Sequence, residues 1–274
     1  MLTRQARRIT GPPQAAGWPP AQQSQHVVYV DHPGHVRELY LVGTEPWQTN
    51  DLSERTGYTK TAAPKNGSPL AGYVFTNQQT EHVFYIAQDD TIRELYYTGI
   101  WHANNLSQAV PAAVPPARDS PLAAYAAEYE NTQHVIYVND DGDVQELYWS
   151  DGWKTGQPLN LQAGASQPAG SSTLAGYAAE YEQTHHVVYT DASNIMHELY
   201  RSGSAWNETL LLESADSPAP PRNATPLAGY AYSHAGTGTQ HVIYIDIDSN
   251  VHELYREGSS WYSGVVSSTI PISH

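Results

Sequence analysis

Five times in this chain a histidine is followed twelve residues later by a glutamate: His26 and Glu38, His82 and Glu94, His134 and Glu146, His186 and Glu198, His241 and Glu253. Each pair lies in the same phrase, an HV-x-Y segment followed by an ELY segment. A tryptophan comes seven to nine residues after each glutamate, at Trp47, Trp101, Trp153, Trp206 and Trp261. An imidazole and a carboxylate held in constant register can hydrogen-bond hydroxyl groups, pass a proton or ligate a metal. With an indole beside them they have the make-up of a sugar site: His as donor, Glu as acceptor, and Trp or Tyr as the face against which C–H groups stack.

Such a register needs rigid elements. The histidines recur after 56, 52, 52 and 55 residues, a period suited to a unit of several short strands. Each unit reads as four strands. The first is rich in small residues and ends at Trp18, Tyr73, Tyr125, Tyr177 and Tyr230, as in AAGW at residues 15–18 and LAGY in later units. The second is HV-x-Y, the third x-ELY, and the fourth follows the tryptophan. Turn sequences such as DHPGH, NDDGD and DASN join the second strand to the third. In the third unit a turn pairing Asn139 with Asp143 places Ile136 opposite Glu146 and His134 opposite Tyr148. His134 and Glu146 are then diagonal neighbours on one face.

Proline-rich tracts such as residues 111–121 and 217–226 separate the units, and no segment carries a helical period. The expected fold is therefore all-β: a five-bladed β-propeller of four-stranded antiparallel blades, one domain over residues 1–274. The blades are expected near residues 13–58, 68–110, 120–162, 172–214 and 225–270. Two smaller sandwiches are the alternative. Framework packing accounts for most tyrosines, because 14 of the 20 fall at three repeat positions.

Thirteen Lys and Arg against 28 Asp and Glu give a formal charge of −15, which repels nucleic acid and anionic lipid. The absence of cysteine removes disulfides and thiolate chemistry. No apolar run is long enough to span a membrane, and the opening MLTRQARRITGPP has no apolar stretch of a secretory signal. A cytoplasmic or non-classically secreted protein is expected. No cofactor or metal is expected: a ring of five imidazoles is too many for tetrahedral zinc, and one His with one Glu is too few. For Asp140, Asp141 and Asp143, hairpin chemistry is preferred over calcium, and His185, His197 and His252, present in only some units, read as surface polar residues.

At blade level most of the chain resembles the fungal fucose-specific lectin family, above all in HVIYVNDDGDVQELYWSDGWKTGQPL at residues 134–159. The resemblance implies a glycan partner of the fucose type, bound by a glutamate of the third strand, an arginine of the second and aromatic side chains. Glu38, Glu94, Glu146, Glu198 and Glu253 match the glutamate. The arginine positions hold histidine here, and the family has six blades where five are counted. The leading expectation is a multivalent carbohydrate-binding protein. The alternatives are an enzyme using one divergent His/Glu seam or the central channel, possibly with a metal, and a protein-binding scaffold. Five like pairs without a nucleophile motif argue against the enzyme.

Overall fold

A computed structural model describes residues 6–10, 24–57, 62–215, 218–222, 225–234 and 237–267. Twenty strands form five four-stranded sheets, each in simple chain order. The first contains β1 (Ala6–Thr10), β2 (Ser24–Val30), β3 (Val36–Val42) and β4 (Gln48–Asp51), and the second β5 (Leu70–Phe75), β6 (Thr80–Ile86), β7 (Ile92–Tyr97) and β8 (Trp101–Asn105). The third contains β9 (Leu122–Ala127), β10 (Thr132–Val138), β11 (Val144–Trp149) and β12 (Trp153–Thr155). The fourth contains β13 (Ala175–Ala179), β14 (Thr184–Thr190), β15 (Met196–Ser202) and β16 (Ala205–Leu210), and the fifth β17 (Ala228–His234), β18 (Thr237–Ile245), β19 (Val251–Glu257) and β20 (Ser260–Val265).

The chain divides into two compact units: described residues up to Val135 with Leu147–Thr155, and Ile136–Glu146 with described residues from Gly156 onward. In the first unit, Val28, Val36, Leu52, Leu70, Val83, Tyr85 and Leu95 form a core to which the first two sheets contribute. In the second unit, the fourth and fifth sheets supply Tyr177, Val188, Met196, Val242, Tyr244, Leu254 and Trp261, joined by Leu211 of the helical turn after the fourth sheet. Among the described residues no helix is long and apolar enough to cross a membrane.

The spacing of twelve produces the expected register. Val28 lies opposite Glu38 and His26 opposite Tyr40, and the same pairing recurs at Phe84 and Glu94, Val188 and Glu198, and Ile243 and Glu253. Four of the five turns that set it share one chemistry, the second having Ala87 at the key position. In the NDDGD turn the Asn139 amide donates to the Asp143 carbonyl, and Gly142 takes a positive φ of 85°. The Asn139 side chain accepts from the Asp143 amide at 2.9 Å, as Asp31, Asp191 and Asp246 do from the residue four ahead. Asp143 itself accepts from Asn160 and Gln167.

Three features differ from the expectation. The strand paired with β2 is Ala6–Thr10, while the expected AAGW strand ending at Trp18 lies outside the described residues. His197 and His252 are buried rather than surface residues, because each turns Nε2 toward the hairpin aspartate, Asp191 at 3.3 Å and Asp246 at 2.8 Å. His185 is buried as well. Finally, four helical turns follow the fourth strands: α1 (Leu52–Thr56), α2 (Leu106–Ala109), α3 (Leu159–Ala163) and α4 (Leu211–Ser214). Asp51 and Asn105 cap the first two through the amides of Glu54 and Gln108. The second residue of α1, α2 and α3 accepts from the first amide of the preceding third strand, as Ser53 does from Val36 at 2.8 Å. At four or five residues these turns are too short to show a 3.6-residue period.

Small residues in the first strands make room for aromatic rings. A Cβ on Gly229 would lie 2.7 Å from Cδ1 of Tyr177, whose ring stacks on His186 with centroids 4.8 Å apart. Gly229→Ala is therefore expected to force Tyr177 from its place and to cost about 1–3 kcal/mol of stability, measured by urea denaturation.

Candidate functional site

A hydrogen bond joins histidine Nδ1 to glutamate Oε1 at 2.7 Å for His26 and Glu38, 2.8 Å for His82 and Glu94, and 2.9 Å for both His186 with Glu198 and His241 with Glu253. A carboxylate at Nδ1 holds the hydrogen there, leaving Nε2 as an acceptor. In the second, fourth and fifth sheets that acceptor is taken by a threonine hydroxyl two residues earlier: Thr80 and Thr184 at 2.7 Å and Thr239 at 2.9 Å. Thr132 stands 2.7 Å from Nε2 of His134 in the third. A tyrosine of each of these first strands, Tyr73, Tyr125, Tyr177 or Tyr230, stacks on the ring at 4.6–5.0 Å. Glu146, on β11, is half-buried.

In the second, fourth and fifth sheets both nitrogens of the histidine are therefore hydrogen-bonded within the protein. The signal was in the sequence as T-x-H, which accompanies four of the five histidines. Hydrogen bonding is what lets His82, Glu94 and His186 stay buried at 2–4 % exposure. The second oxygen of the glutamate is reached from the fourth strand: Asn50 donates to Glu38 at 2.8 Å and Asn104 to Glu94 at 3.2 Å.

The tryptophan that joins a pair comes from the following sheet, not from its own unit. In the first unit, a cavity of about 260 Å³ brings Thr80, His82, Glu94, Tyr96 and Asn104 of the second sheet together with Trp149 and Trp153 of the third. In the second unit, a cavity of about 710 Å³ brings Thr184, His186, Glu198, Tyr200 and Thr209 together with Arg256 and Trp261. The positions correspond one to one, because Trp149 opposes Trp153 across β11 and β12 as Arg256 opposes Trp261 across β19 and β20. Trp149 is thus replaced by Arg256, whose guanidinium donates to Glu182 at 2.8 Å. Trp206 is buried near His185, Trp101 packs on the first unit's core, and Trp47 is half exposed.

The first sheet breaks the pattern. Ser24 stands where the other sheets have threonine, and Nε2 of His26 is a buried atom without a hydrogen-bond partner among the described residues. Glu81 Oε1 lies 3.5 Å away. His26, Glu38 and Glu81 each offer a donor atom within 4.8 Å of the others, so this group has metal-ligand chemistry. Burial lowers the His26 pKa, but the Glu38 hydrogen bond and the Glu81 charge override it and leave it raised. Burial and the Glu38 charge push Glu81 up to about 7 against the opposing pull of His26.

Two outcomes follow. Thr80→Val keeps the shape but removes the hydroxyl, so His82 Nε2 is left unsatisfied and stability should fall by about 1–3 kcal/mol in urea denaturation. Glu81 has a folded-state pKa above its ordinary value, so its stabilising contribution is full below about 4.5 and is lost as pH rises through about 7. His26 acts in the same direction. Between these limits the wild type should lose stability relative to Glu81→Gln, measured by denaturation across the pH series.

Comparison with known proteins bears on the fold and the family. The chain superposes on the Aleuria aurantia lectin, described as a six-bladed β-propeller, with a TM-score of 0.72 at 18 % identity, covering 97 % of this chain and 79 % of that one. It is also similar to the SapL1 lectin, at TM-score 0.68, 19 % identity and coverage of 96 % and 80 %. For the lectin AofleA of Arthrobotrys oligospora the values are 0.64, 14 %, 96 % and 72 %. No curated protein matches by sequence. The family model described as fungal fucose-specific lectin matches residues 21–273, and with this match over nearly the whole chain the protein belongs to that family of carbohydrate-binding lectins.

Proposed function

We propose that this lectin is multivalent and binds sugar in the pockets that successive sheets form, the five sheets being the five blades of a propeller. The observation that carries the reading is the equivalence of the two cavities: a supported glutamate and a tyrosine on one side, a tryptophan of the next sheet on the other. In this reading Glu94 and Glu198 accept hydrogen bonds from sugar hydroxyls. Trp153 and Trp261 give the flat face for the ring, and His82 and His186 hold the carboxylates in place. Five blades agree with the five four-stranded sheets and with the six-bladed relative, of which this chain spans 79 %.

The proposed ligand is a terminal sugar of the fucose type. Two similar lectins, from Aleuria aurantia and SapL1, are described in complex with α-methyl fucoside. Weak single sites become effective on a surface of repeated glycans, where a second binding event is intramolecular.

Calorimetry with α-methyl fucoside, after a glycan array has ranked the sugars, tests the reading. Glu94→Gln should lower the stoichiometry by one site and leave the affinity of the remaining sites unchanged. Trp153→Ala should weaken its own site roughly tenfold, the loss of a stacking contact worth about 1.4 kcal/mol. Loss of all binding after either single change would instead indicate one unique site.

A further inference from the structure

The first sheet differs from the others at two positions that meet at one atom. Nε2 of His26 has no hydrogen-bond partner among the described residues, whereas the equivalent atom in the other four sheets meets the hydroxyl of a threonine at the position of Ser24. Facing it is Glu81, at a position where the other sheets carry Gln25, Gln133, His185 and Gln240. A carboxylate thus appears where a histidine has lost its usual partner.

The separation of the two groups matches that of two ligands on one ion. At 3.5 Å, His26 Nε2 and Glu81 Oε1 are at the outer limit of a hydrogen bond. Nitrogen and oxygen ligands about 2.0–2.1 Å from a tetrahedral zinc ion stand about 3.4 Å apart. Glu38, bonded to Nδ1 at 2.7 Å, holds the ring with Nε2 3.5 Å from Glu81 Oε1. This is the carboxylate–histidine arrangement that orients metal-bound imidazoles. Two carboxylates also face one imidazole here, and a cation would balance them. His26 and Glu38 are buried at 5 % and 2 % exposure, while the Glu81 side chain keeps 26 %, which leaves a route to solvent.

We propose that His26 and Glu81 bind a divalent transition-metal ion of the zinc class, with Glu38 as the outer partner of the histidine and water completing the coordination. Imidazole nitrogen selects such ions over magnesium or calcium, which prefer all-oxygen sets. Two protein ligands make the site weaker and more exchangeable than a closed four-ligand centre. It is separate from both cavities, neither of which is lined by His26 or Glu81.

The test is a zinc titration of EDTA-stripped, dialysed full-length protein, followed by calorimetry and by thermal unfolding. Wild type should take up one zinc ion more than Glu81→Gln, and zinc should raise its melting temperature but not that of the variant. Magnesium should raise neither. Ser24→Thr installs the threonine that bonds Nε2 in the other sheets, and it should weaken zinc uptake at least tenfold while leaving sugar binding intact. That intact sugar binding shows the variant is folded. Equal zinc uptake by wild type and Glu81→Gln would overturn the proposal. So would a melting temperature of the wild type that does not respond to zinc, which would identify the pair as sharing only a proton.

Discussion

A carboxylate buried at 2–3 % exposure, as at Glu38, Glu94 and Glu198, is expensive unless each oxygen is paired. The bond from histidine Nδ1 to that carboxylate is what makes the rest of each repeat possible. It ties the second strand to the third across a diagonal, so a slip of one residue would send both groups to the wrong face. It also fixes the tautomer, and this allows a threonine hydroxyl to close the other end. The result is a short chain of polar groups, Thr, His and Glu, running through an otherwise apolar and aromatic sheet. A partly satisfied chain would be worse than none, which explains why the three residue types travel together.

The aromatic framework is built around this chain. Tyr73, Tyr125, Tyr177 and Tyr230 lie flat on the imidazoles. Tyr85, Tyr189 and Tyr244 of the second strands send their hydroxyls to carbonyls of the proline-rich connections, at Ala62, Ser166 and Ala219. Burial raises the phenol pKa of these last two well above the ordinary value, so they remain donors. Tyrosine abundance is thus structural at both positions, and prolines that exclude strand formation gain a fixed anchor.

Much of this was legible. A spacing of twelve around an Asx-type turn leaves a single sensible register, which is why the pairing of Val28 with Glu38 followed from counting residues. The roles within the site were less legible. Sequence separation within one unit favours pairing a histidine with the tryptophan that follows it, whereas Trp153 joins Glu94 across two sheets. The helical turns escaped because they are single turns, recognisable only by caps such as Asp51 to Glu54. The burial of His197 and His252 escaped because their partner is a turn aspartate six residues earlier, outside any strand pattern.

The cavities draw their polar wall from one repeat and their aromatic wall from the next, so the heritable unit and the binding unit are offset by half a repeat. A single repeat taken alone thus carries only one wall of such a cavity. Each further repeat adds one whole pocket while leaving the others intact. Divergence at a single codon, such as that separating Trp149 from Arg256, alters one wall of one pocket without touching the buried polar chain that folds it. Selection can therefore diversify recognition pocket by pocket at little risk to the architecture.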